Sequence, residues 1–117
     1  MLKLTPVLLA LLATTASAAP ATYQLALSVR PDGKAARDYT LKVTDRTCGS
    51  VKARTSVGED EIRVCADSPE GNHVTLHVEW VMRADKSEVN TSSTAVVDRG
   101  GKLELAGGIA KLQVAIQ

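Results

Sequence analysis

Apolar residues recur at every second position over almost the whole chain. Tyr23, Leu25, Leu27 and Val29 alternate with Gln24, Ala26, Ser28 and Arg30. A period of two sends successive side chains to opposite faces of an extended backbone, so this segment reads as a strand with one face to bury. Tyr39, Leu41 and Val43 repeat the pattern, as do Val51 with Ala53 and Ile62 with Val64. The longest row is Val74, Leu76, Val78, Trp80 and Met82, set against His73, Thr75, His77 and Glu79. Val89 to Val97 forms a weaker, Thr- and Ser-rich strand, and Leu103 with Leu105 precedes a final row of Leu112, Val114 and Ile116. No segment has helical periodicity. The expectation is an all-β chain of about eight strands.

Turn chemistry separates these rows. Pro31-Asp32-Gly33-Lys34 combines a preset φ with a residue that accepts positive φ, and Ser68 to Asn72 and Arg99 to Lys102 are similarly rich in turn formers. The two halves also resemble each other. At an offset of 51, Tyr23, Leu25, Leu27 and Val29 fall on Val74, Leu76, Val78 and Trp80. At an offset of 52, Gly49 and Val51 fall on Gly101 and Leu103, and Ile62 and Val64 on Val114 and Ile116. Four strands cannot bury their apolar face alone, so the expected fold is an antiparallel β-sandwich built from two similar four-stranded halves. The last strand is expected beside the first or at an edge.

The first 18 residues have a different design. Lys3 precedes the short apolar run Leu4 to Leu12, and Ala16-Ser17-Ala18 ends it with small residues, the layout of a cleaved secretory signal. The run is shorter than the roughly 20 apolar residues needed to span a bilayer. Residues 1–18 are read as signal peptide and 19–117 as a single domain, periplasmic or secreted. Without Lys3, 13 basic side chains balance 13 acidic ones, and only Tyr23, Tyr39 and Trp80 are aromatic. Neither phosphate neutralisation nor base stacking is well supplied, which argues against a nucleic-acid partner.

In an exported chain, two cysteines imply a bond between them. Parity sharpens this: with Val51, Ala53, Ile62 and Val64 inward, Cys48 and Cys65 both point outward on one hairpin, as a cross-strand disulfide requires. A bulge at Gly49 would spoil that parity.

Chemistry is sparsely signalled. His73 and His77 share a face, but on a straight strand they lie roughly 13 Å apart, too far to ligate one metal. His77 and Glu79 are closer, and no third ligand is nominated. His73, His77 and Glu79 are therefore weak metal candidates beside the simpler reading of a solvated strand face. Ser50, a histidine and Asp67 contain the residue types of a triad without any motif that brings them together. Glu59-Asp60-Glu61 lacks the ligand spacing of a calcium loop and reads as a solvated hairpin loop. Asn90-Thr91-Ser92 matches the glycosylation acceptor pattern, taken as incidental in an exposed strand. Trp80 continues an inward row and is assigned to the core.

No catalytic residue and no cofactor is assigned. The expected function is a non-enzymatic interaction module of the cell envelope or secreted space, with a protein or glycan partner and no membrane span after signal cleavage. A second expectation is an inhibitor of an extracellular hydrolase, acting through Val57 to Glu61 or Pro69 to His73 with the disulfide beside the first of these loops. The third is a metal-binding protein or enzyme using His73, His77 and Glu79.

Overall fold

The computed structural model describes residues 20–56, 58–68, 73–84 and 86–117, so the signal-like leader and the whole of Pro69 to Asn72 lie outside the described residues. The chain runs β1 (Thr22–Pro31), β2 (Arg37–Thr44), β3 (Thr47–Thr55), β4 (Gly58–Asp67), β5 (His73–Ala84), β6 (Ser87–Asp98), β7 (Lys102–Ala106) and β8 (Ala110–Ile116). Every pairing is antiparallel. One sheet has the order β2-β1-β8-β7 and the other β3-β4-β5-β6. This is a β-sandwich, and the last strand sits beside the first, inside its sheet.

The inward rows named by the period of two make the core. Leu25, Val29, Ile62, Val64, Val74, Leu76, Val78, Trp80, Leu112 and Val114 are all fully buried. Each removes apolar surface from water, worth about 1.5–3 kcal/mol for a Val, Leu or Ile side chain. The chain changes sheet twice, between β2 and β3 and between β6 and β7. Gly49 and Gly101 sit just past these crossings: a Cβ on Gly49 would lie 3.1 Å from Leu41 Cδ1, and one on Gly101 would lie 2.9 Å from Val97 Cγ1. Gly49 makes no bulge, since the β3–β4 register runs unbroken from Thr47 with Ala66 to Thr55 with Gly58.

The halves are related by an approximate two-fold in the ladders themselves. Moving β1 by 53 residues and β2, β3 and β4 by 52 carries the β1–β2 ladder onto β5–β6, the β1–β8 pairs Leu25 to Arg30 onto β5–β4, and the β3–β4 pairs Ser50 to Arg54 onto β7–β8. Tyr23 with Val43 becomes Leu76 with Ala95, and Val51 with Ile62 becomes Leu103 with Val114. Leu27 with Val114 becomes Trp80 with Ile62. The sequence offset of 51 for the first strand is thus corrected by two residues. An alternating strand matches itself equally well one inward step away, so apolar pattern alone does not fix which row faces which.

Candidate functional site

Antiparallel order gathers four of the five hairpin connections at one end of the sandwich: Asp32 to Ala36, the connection between Thr55 and Gly58, the connection between Ala84 and Ser87, and Gly107 to Ile109. The two crossings, the β4–β5 loop and the C-terminus occupy the other end. A cleft of about 350 Å³ opens between the turns. Pro31, Met82, Ala84 and Ile109 give it apolar walls, and Lys34, Arg37 and Lys86 ring it with positive charge. Asp32 is the one carboxylate among its described lining residues.

Beneath the cleft lies a polar cluster that strand reading does not foresee. Asp60 was expected in a solvated acidic loop, but β4 begins at Gly58 and Asp60 falls on its inward row, 0% exposed. Arg37 on β2 in the opposite sheet grips it with two bonds, Nε donating to Oδ2 at 2.6 Å and Nη2 donating to Oδ1 at 2.8 Å. The Tyr39 hydroxyl donates to the same Oδ2 at 2.6 Å. A buried carboxylate is tolerated only when paired and hydrogen-bonded, and here three donors from one strand supply that need. The bonds to Asp60 raise the Arg37 pKa above its ordinary value. Burial, followed by the bond to Asp60, raises that of the Tyr39 phenol. The one sequence signal for the cluster was parity: Asp60 shares the inward row of Ile62 and Val64, and Arg37 that of Tyr39 and Leu41.

The other candidates lie on the outer face of the β3-β4-β5-β6 sheet. His73 Nδ1 is 2.6 Å from Asp98 Oδ1, and His77 Nδ1 is 2.6 Å from Thr94 Oγ1. Glu79 lies 3.4 Å from both His77 Nε2 and Arg63 Nη1. His73 and His77 thus occupy separate cross-strand rows with Thr75 between them, each engaged by a β6 neighbour. No group of three His, Cys, Asp or Glu among the described residues is placed to hold a metal ion. Ser50 pairs with Arg63 and Asp67 with Thr75, in different rows of the sheet, so these residue types form no triad with either histidine. Farther along, Arg54, Glu59, Arg83 and Glu88 alternate in charge along one row, with ion pairs of 3.4, 3.8 and 3.9 Å. Exposed pairs of this kind add at most about 1 kcal/mol each.

Cys48 and Cys65 are directly opposite on β3 and β4 and are bonded. Such a bond persists in an oxidising environment. It closes the hairpin at the crossing end, whereas the β3–β4 turn lies at the other end, so it does not brace that turn as expected. The proposed inhibitory segment Val57 to Glu61 is also reduced, since Gly58 to Glu61 belongs to β4 and Val57 lies outside the described residues. Of the segment Pro69 to His73, only His73 is described, and it opens β5. A shallower groove of about 340 Å³ flanks the disulfide, lined by Arg46, Asp67, Thr75 and His77. Asn90 is exposed on β6.

No known protein family, curated protein or solved structure matches the chain.

Proposed function

We propose that this is a non-enzymatic interaction protein of the cell envelope or secreted space, and that it engages its partner at the hairpin-turn end. The observation that carries the reading is the cleft there, with Lys34, Arg37 and Lys86 around apolar walls and a single carboxylate, Asp32, among the described lining residues. Arg37 is fixed by its two bonds to Asp60, and a prearranged cation loses little freedom on binding. The suited partner is a protein or glycan surface that presents carboxylates, with apolar groups beside them. The leader-like first 18 residues and the disulfide favour an exported setting.

The test is capture from envelope and secreted fractions with oxidised Ala19 to Gln117 as bait, set beside the double variant Lys34→Glu, Lys86→Glu. These side chains lie on turns, so the variant keeps the fold. A partner held by the parent and lost by the variant is expected; equal retention by both overturns the assignment to this end. A second reading is favoured by the β1–β2 connection, where Asp32, Gly33, Lys34, Ala35 and Ala36 are all exposed at the same end. Such a projecting turn suits an inhibitor of an extracellular hydrolase. Replacing these five residues with Gly and Ser would abolish inhibition, and unchanged potency would exclude this turn.

A further inference from the structure

The Cys48–Cys65 bond lies on the outside of the sandwich. Cys48 is exposed and Cys65 half-buried, both on the solvent side of the β3-β4-β5-β6 sheet. Exposed disulfides are as a rule the labile ones, because a thiolate can reach them. The hairpin also has other means of staying closed. Its ladder continues from Gly49 with Val64 to Thr55 with Gly58, and Thr47 pairs with Ala66 on the far side of the sulfurs. Arg46 N–H donates to Ala66 O and Ser68 N–H to Asp45 Oδ1, each at 2.7 Å. Opening the sulfur bond therefore leaves the crossing end in place. The equivalent end of the second half, at Gly100 and Gln117, closes with no disulfide at all.

Position in the sheet decides which sulfur is attacked. Cys48, Cys65, His77 and Thr94 form one cross-strand row over β3, β4, β5 and β6. In thiol–disulfide exchange the thiolate approaches one sulfur from the side opposite the leaving sulfur. For Cys65 that side is taken by His77, since Cβ atoms of directly opposed residues lie about 5 Å apart. For Cys48 it is open, because β3 ends its sheet. The leaving side is prepared as well. The groove beside the sulfurs is lined by Arg46 and His77, and a guanidinium or a protonated imidazole favours a thiolate at Cys65. Asp67 in the same groove, and Glu79 at 3.4 Å from His77 Nε2, oppose part of that effect.

We propose that Cys48–Cys65 is a thiol-exchange site whose substrate is an external thiol. The incoming thiolate forms a bond to Cys48 Sγ, the Cys48–Cys65 bond breaks, and its electron pair leaves with Cys65 as thiolate. The chain is then joined to the thiol carrier by a mixed disulfide at Cys48. A second thiolate attacks the carrier's sulfur and releases Cys48 as thiolate, so two external thiols are oxidised to one disulfide and the protein's bond is reduced. The reaction consumes the bond once. The groove of about 340 Å³ seats the groups next to the attacking sulfur, whether these belong to a small thiol or to a cysteine-bearing peptide. This site lies at the crossing end and does not depend on the partner assigned to the turn end.

Reaction of oxidised Ala19 to Gln117 with reduced glutathione, and separately with a cysteine-bearing peptide, tests it after acid quenching and mapping by mass spectrometry. The first adduct is expected on Cys48, at a rate within about tenfold of that of the urea-unfolded chain, with Trp80 fluorescence unchanged. His77→Ala opens the line to Cys65 and should move part of the adduct there. Gly107→Ala, at the opposite end of the sandwich, should leave the rate unaltered. A faster peptide assigns the site to protein thiols, and glutathione reacting as fast or faster assigns it to small ones. Adduct shared equally between the two cysteines of the parent overturns the proposal, as does a distribution unchanged by His77→Ala. A folded chain slower than that tenfold limit overturns it too. So does a rate that rises in Gly107→Ala in step with lost stability, because attack would then wait for unfolding.

Discussion

The two halves solve the same packing problem with opposite chemistry. Under the two-fold, Arg37, Tyr39 and Asp60 stand where the second half has Val89, Thr91 and Leu112. Asp60 and Leu112 are both 0% exposed. One site joins its sheets through a carboxylate with three donors, the other through apolar contact. A position that accepts Leu112 in one half has no steric need for a charge in the other. The fold therefore does not require the ion cluster. What the cluster supplies locally is a fixed guanidinium, 16% exposed, at the wall of the cleft between the turns.

The largest effect that breaks this equivalence should come from Arg37→Val alone. It leaves Asp60 buried without its cation, and loss of one partner from a buried pair costs about 3–5 kcal/mol. The triple variant Arg37→Val, Tyr39→Thr, Asp60→Leu copies the second half and should recover parental stability or exceed it, because apolar replacements of buried ion pairs are often neutral or stabilising by about 1–4 kcal/mol. Urea unfolding of both variants decides this. A triple variant as unstable as the single one would mean that the two sites are not interchangeable.

The disulfide is a second asymmetry between the halves. Gly100 and Gln117 stand where the first half has Cys48 and Cys65, and the β7–β8 end is closed instead by Ile116 N–H donating to Gly101 O at 3.0 Å. Replacing both cysteines with alanine should lower stability by about 3 kcal/mol. Hydrogen exchange should show β3 opening before β7.

Gly107 gives a smaller, steric contrast. Its counterpart is Thr55, which carries a side chain, yet a Cβ on Gly107 would lie 2.4 Å from Val89 Cγ1 and 3.3 Å from Trp80 Cζ3. Gly107→Ala should cost about 1–3 kcal/mol. Adding Val89→Ala should return part of that loss in a thermal melt, and a strictly additive pair would refute the contact as its cause.

The smallest effect is expected at Tyr39. Its phenol is held above the ordinary value of 10.0, chiefly by burial and then by its bond to Asp60. A raised folded pKa means that the protonated phenol contributes stability in full below the unfolded value, and that the contribution fades as pH rises through the folded value. Tyr39→Phe should cost about 1 kcal/mol at neutral pH. It should also remove an alkaline step from the stability profile measured between neutral pH and pH above 10. A step that persists in Tyr39→Phe would assign it to another group.

Much of this architecture was legible because strand periodicity is a local property. Alternation alone sorted Leu25, Ile62, Trp80 and Leu112 inward, and the same parity placed Cys48 and Cys65 on one outer face. Local pattern failed where a residue's type disagreed with its row. Asp60 looked solvated beside Glu59 and Glu61, although its position in the alternation was inward. The Val57 to Glu61 loop failed for the same reason, since strand β4 begins inside that acidic run. His73, His77 and Glu79 were rightly placed on one solvent-facing strand, but their partners Asp98, Thr94 and Arg63 come from neighbouring strands and could not be named in advance.

By itself, then, the sequence determined the strands, their buried faces and the pairing of the cysteines, because each follows from a period of two and from turn residues close by. Tertiary structure alone decided which row of one sheet meets which row of the other, and so the two-residue correction to the repeat, the Arg37–Asp60 bond between sheets, and the gathering of Lys34, Arg37 and Lys86 at one end. A period of two looks the same after a shift of two. Only packing across the sandwich, where side chains of particular volume and charge must fit, distinguishes one register from the next.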